Sequence, residues 1–146
     1  LDHDLSGPGA PAAGRHPLPD RQAMADRLAA LGAGPSTLLA AYDTAGGMAA
    51  GRLWWLCRWL GHEAVQVLDG GLAAWQAVGG ATVSGTEPPR APGGFTLRPP
   101  LVAAVDYAAL RHALGQPPRL VVDARPADRD RSQAGAARTG RVRGHG

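Results

Sequence analysis

The sequence predicts an α/β fold: an open, mainly parallel sheet flanked by helices. Two observations carry that prediction. Over residues 37–78, short apolar runs alternate with helix-length segments in the order strand, helix, strand, helix. Each apolar run also ends at an aspartate followed by glycines, Asp43-Thr44-Ala45-Gly46-Gly47 after the first and Asp69-Gly70-Gly71 after the second. Such a tight loop delivers backbone N–H groups and a helix N-terminus to one point beyond the strand, where an anion is favoured.

The elements follow in order. Residues 1–19 read as loop, because Pro8, Pro11, Pro17 and Pro19 break up regular structure. A helix is predicted over 20–32, with Asp20 as N-cap, Met24, Leu28 and Leu31 on one face, and Gly32 and Gly34 as its stop. Thr37–Tyr42 is a buried strand. Helix 47–60 contains Trp54, Trp55 and Trp59 and is apolar on nearly all sides, as befits a helix laid on a sheet. With Trp75 these rings read as core rather than a binding cage. Strand Ala64–Leu68 and helix 71–78 come next. Residues 79–100 are rich in Gly and Pro and resemble a linker. Asp106–Leu114 forms a helix with Tyr107, Leu110 and Leu114 on one face, and Leu120–Asp123 a strand. The stretch 132–146 has no periodicity and is expected to be disordered.

Composition bounds the function. A chain of 146 residues has room for one domain with a sizeable core. All fifteen basic residues are arginine. Residues 1–118 hold eight of them against nine acids, and residues 119–146 hold seven against three, so the basic character belongs to the C-terminal end. That end has no aromatic residue, which argues against nucleic-acid binding. The N-terminus is acidic and polar, unlike a signal peptide, and no apolar run is long enough to span a membrane. A single cysteine cannot form an internal disulfide and fits a reducing cytoplasm. His3, His16, His62, His112 and His145 lack metal-ligand spacing, so neither metal nor other cofactor is expected.

An ordered set of short matches resembles the N-terminal, non-catalytic half of two-domain rhodanese-type sulfurtransferases, the thiosulfate and 3-mercaptopyruvate sulfurtransferase family. The matches are Asp2-His3-Asp4-Leu5-Ser6-Gly7, Gly14-Arg15-His16-Pro17-Leu18-Pro19, Tyr42-Asp43, Gly46-Gly47-Met48-Ala49-Ala50, Arg52, Trp54-Trp55, Gly61-His62 and Leu68-Asp69-Gly70-Gly71 with Trp75. Leu120-Val121-Val122-Asp123-Ala124-Arg125 resembles the opening strand of the family's second domain. The resemblance implies a rhodanese-like domain over 1–80 lacking its first strand, a linker over 81–100 and the start of a second such domain over 101–131. Rhodanese-like domains resemble one another, so Leu120–Asp123 is also a candidate to fill the vacant strand position of the first.

In the family a cysteine at the first position of the strand-end loop takes a sulfane sulfur as a persulfide, stabilised by loop N–H groups and the helix dipole. Here that position is Asp43, whose carboxylate suits the same N–H groups but cannot carry sulfur. It reads as a helix cap, and no catalytic residue is assigned. Cys57, the only thiol, lies inside an apolar helix and reads as core packing. Arg52 reads as an ion pair with Asp43 or Asp69 in preference to an anion contact at the loop mouth. The resemblance assigns Arg129 to the substrate's anionic group, where its fork matches carboxylate or thiosulfate oxygens; a solvated pair with Asp128 or Asp130 is the alternative. The expected function is thus a rhodanese-family sulfurtransferase polypeptide handling a small anionic sulfur donor, thiosulfate or 3-mercaptopyruvate. It is expected to be catalytically incomplete and to need a complementing catalytic domain. The alternative is a non-enzymatic anion- or partner-binding module.

Overall fold

The structure, a computed structural model, describes residues 4–9, 16–114, 116 and 122. They fall into two compact units that divide between Ala103 and Ala104. The first holds α1 (Arg21–Ala30), β1 (Leu39–Ala41), α2 (Met48–Trp59), β2 (Val65–Val67) and α3 (Gly71–Ala77). Strands β1 and β2 pair in parallel, with Leu39 opposite Val65 and Ala41 opposite Val67. This is the α/β order expected of the alternating runs, with a helix as the crossover. Both strands are shorter than the apolar runs, and the Leu38 and Tyr42 side chains that flank β1 are largely exposed rather than buried.

The core draws on α1, α2 and β2. Met24, Ala25 and Leu28 come from α1, Leu56 and Cys57 from α2, and Val65 from β2; Ala33, Leu60 and Phe95 complete it. The spacing of Met24 and Leu28 puts both on one face of α1, and Asp20 caps that helix by accepting the Ala23 N–H at 2.9 Å. Leu31, expected on the same face, is instead exposed, because the helix ends at Ala30. Trp54, Trp55 and Trp59 pack half-buried on the core, the last two stacked with ring centroids 5.8 Å apart. Trp75 corrects the expectation of a fourth core ring. It is 43% exposed, and its indole Nε1 donates to the Ala81 carbonyl at 3.0 Å, tying down the turn after α3.

Helix α2 closes with a Schellman turn. Gly61, at φ +85°, donates to Arg58 O at 3.0 Å, and His62 N–H to Cys57 O at 2.9 Å. The turn buries His62, whose Nε2 donates to the Thr37 carbonyl at 2.9 Å and whose ring lies against Phe95. One side chain thereby joins the end of α2 to the approach to β1.

The stretch 81–100 has no helix or strand, yet its second half is not a free linker. Gly93 N–H donates to Ala29 O at 2.7 Å, Arg98 N–H to Leu60 O at 3.0 Å, and Leu101 N–H to Arg58 O at 2.9 Å. Phe95 is only 8% exposed. Phe95 and Leu97 alternate in a run otherwise made of turn formers and polar residues, so extended backbone turns both toward the core.

In the second unit, α4 (Tyr107–Ala113) is capped by Asp106, which accepts the Ala109 N–H at 2.7 Å. Of the expected strand Leu120–Asp123 only Val122 is described; it is exposed and belongs to no strand. Arg129 and the stretch 132–146 lie outside the described residues, as does His3. No described helix is long and apolar enough to cross a membrane.

Candidate functional site

The C-terminal ends of β1 and β2 open onto a cleft of about 670 Å³ lined by the two strand-end loops, including Asp43, Gly46, Gly47, Asp69, Gly71 and Gln76. Its first wall is built around Asp43. Gly46 and Gly47 both take positive φ, +78° and +89°, a run that side-chain-bearing residues resist. That backbone turns four N–H groups inward. Asp43 Oδ1 accepts from Ala45 and Gly47, each at 2.8 Å, and Oδ2 from Ala49 at 2.9 Å and Ala50 at 3.0 Å. A carboxylate has about four lone-pair sites, so this one is saturated. The bonds from Ala50, Gly47 and Ala45, against a smaller desolvation effect, hold the carboxyl down at about 2.

The second wall closes on the same residue from the other side. Gly71 sits at φ +60°, and a Cβ there would lie 2.5 Å from the Asp43 carbonyl oxygen. Leu72 N–H reaches that carbonyl at 3.4 Å. Glycine at 71 is therefore what lets the loop after β2 approach the loop after β1. The cleft so formed carries two carboxylates, Asp43 and Asp69, and among the described residues no cationic side chain lines it. Among the described residues no cluster of three His, Cys, Asp or Glu is arranged to hold a metal ion.

Comparison with known proteins agrees with this architecture. The family description "Rhodanese-like domain" matches residues 9–78. A probable 3-mercaptopyruvate sulfurtransferase of Pseudomonas aeruginosa is 42% identical over 135 residues, covering 91% of this chain and 47% of its own length. The 3-mercaptopyruvate sulfurtransferase of Homo sapiens is 33% identical over 132 residues, covering 89% and 44%. The crystal structure of SseA from Escherichia coli superposes with a TM-score of 0.77 at 29% identity, over 92% of this chain and 50% of that one. The chain belongs to the rhodanese family. It spans about half the length of the relatives it matches.

Within this rhodanese chain the thiol and the loop are apart. Cys57 is fully buried in the core, and burial pushes its thiol up to about 11. It sits nine residues past the start of α2, roughly 14 Å along the helix axis. Among the described residues neither an N-terminal dipole nor a cation activates it there.

Arg52 corrects the sequence reading. It pairs with neither Asp43 nor Asp69 and does not reach the loop mouth. Its Nε donates to Leu5 O at 2.8 Å, and its Nη2 to His16 O at 2.9 Å and Pro17 O at 3.0 Å. The saturated Asp43 carboxylate has no acceptor left for it, whereas those three carbonyls lie against α2. His16 takes part through its backbone, at φ +59°. Nothing local in the sequence signals this clamp, since its partners lie 35 to 47 residues away. The role of Gly71 had a readable signal, because Asp69-Gly70-Gly71 repeats the pattern of the first loop.

Proposed function

We propose that this chain serves a 3-mercaptopyruvate sulfurtransferase as its non-catalytic rhodanese-like portion, with the sulfur-carrying cysteine supplied by a complementing catalytic domain. The observation that carries the reading is the Asp43 carboxylate, which fills with four N–H bonds the position a catalytic thiolate would take. The choice of 3-mercaptopyruvate over thiosulfate rests on the relatives in Pseudomonas aeruginosa and Homo sapiens, both named for that donor. Arg129 is part of the proposal as an anion-binding group that serves the complete site. A buried free thiol needs no oxidising compartment, and the reading includes a cytoplasmic location. The competing reading, an anion-binding module, meets a cleft with two carboxylates and, among the described residues, no lining cation.

The test is sulfur transfer by the purified chain, alone and mixed with the second half of the Pseudomonas aeruginosa relative. Alone, it should form no thiocyanate from cyanide with either donor, and intact mass spectrometry should show no added sulfur. In the mixture, turnover should appear and favour 3-mercaptopyruvate. Thiocyanate production by the chain alone that disappears in Cys57→Ser overturns the proposal, as does a mixture of folded pieces that stays inactive.

A further inference from the structure

The end of α2 is finished by residues from far away in the chain. The last carbonyls of a helix have no donor within it. Here Arg58 O accepts from Leu101 N–H at 2.9 Å as well as from Gly61, and Leu60 O accepts from Arg98 N–H at 3.0 Å. Between them, Trp59 O accepts from Arg21 Nη2 at 2.9 Å. The same Nη2 donates to Arg98 O at 3.0 Å, and the guanidinium carbon lies 5.4 Å from the centroid of the Trp59 ring. Arg21 is the first residue of α1, so one side chain joins α1, the end of α2 and residue 98. The seat beneath is bare: a Cβ on Gly61 would lie 2.7 Å from Pro99 O.

We propose that residues 93–101 form a strap that Arg21 latches over the C-terminus of α2, and that the strap opens as a local unit while the sheet stays folded. Three backbone bonds, the buried Phe95 side chain, Leu97 packed against the core and the Arg21 bond to Arg98 O hold it, and the Arg21 bond to Trp59 O anchors that latch on α2. Residues 81–92 before it are exposed and carry Pro88, Pro89 and Pro92, so detachment disrupts no helix or strand. The latch is also imperfect. Arg21 Nε is buried without a hydrogen-bond partner among the described residues, which raises the free energy of the closed state. Few buried contacts and a solvated approach mark a segment that opens below the global free energy. Opening uncovers the carbonyls of Arg58, Trp59 and Leu60 and the core position of Phe95.

Native-state hydrogen exchange on the full chain tests the strap. The Gly93, Arg98 and Leu101 amides should exchange at least about tenfold faster than the ladder amides of Leu39 and Leu68, after correction for intrinsic rates. Arg21→Gln should speed the three strap amides by a further tenfold or so, the worth of one hydrogen bond to a charged group, and leave Leu39 and Leu68 unchanged. Strap and ladder amides exchanging together in the unmodified chain overturn the proposal. So does Arg21→Gln leaving the strap amides unaltered, or failing to fold.

Discussion

The two strand-end loops use nearly the same residues to different ends. Both place an aspartate after a strand and glycines at positive φ before a helix. After β1, three residues separate Asp43 from Gly47, and the loop is long enough to fold back over the carboxylate and saturate it. After β2, Gly70 follows Asp69 directly; the turn is tight, and the Asp69 carboxylate is exposed without a hydrogen bond among the described residues. The helices differ accordingly. The 12-residue α2 runs into the core, whereas the 7-residue α3 contributes no buried residue. Loop length, rather than the identity of the acid, decides whether an aspartate becomes part of the fold. An oxygen anion enclosed in this way leaves the first loop no room for a second one.

The largest effect that would sharpen this contrast comes from the contact between the loops. Gly71→Ala forces a Cβ against the Asp43 carbonyl at a left-handed backbone position, and should cost about 2–3 kcal/mol in urea unfolding. A neutral result there means that the two loops do not rely on that approach. Next comes Asp43→Ala, which leaves four N–H groups without their acceptor. It should lower the Tm by more than about 5 °C, while Asp69→Ala shifts it by less than about 2 °C. Equal shifts would erase the distinction between the loops.

Acid titration separates them further. The Asp43 carboxyl lies at about 2 in the folded chain against an ordinary 3.8, so its ionised form is the stabilising one. That contribution is complete above 3.8 and is lost as pH falls through about 2. Urea midpoints should therefore fall between about pH 5 and about pH 2.5 in the unmodified chain, and fall less in Asp43→Asn. An Asp43→Asn chain that tracks the unmodified one through that window argues that the four bonds do not favour the charged carboxylate. The smallest expected effect is on activity. Asp43→Cys should gain a thiol that iodoacetamide alkylates faster than free cysteine, because the N–H groups and helix end favour a thiolate. It should still transfer no sulfur above background, since among the described residues no cation lines the cleft to hold an anionic donor. Turnover in that variant would show that the loop alone carries the donor site.

Much of the first unit was legible because its signals are local. Asp20, the Met24 and Leu28 stripe, and the apolar runs that become β1 and β2 each declare themselves within a few residues. The placement of Asp43 at a strand end followed from the same grammar. What sequence did not disclose depends on partners distant along the chain. Arg52 looks like a candidate ion pair until residues 5, 16 and 17 fold against it. Residues 93–101 look like linker because Gly and Pro dominate them, and only the alternation of Phe95 with Leu97 hints at a bound segment. Trp75 shares its residue type with three rings packed on the core, but its helix is too short to reach inward.

The position of Cys57 makes the chain carry its own stopwatch. It is the sole thiol in the sequence and one of the best-shielded side chains, fully buried in the same core cluster as Leu56 and Leu60. A water-soluble thiol reagent can reach it only when that centre comes apart. With reagent in excess and reclosing fast, the rate of labelling reads the population of opened molecules, with no dye, tag or added mutation. Gly71→Ala, Asp43→Ala, Asp69→Ala and Asp43→Asn can then be ranked by how quickly one sulfur atom comes into view.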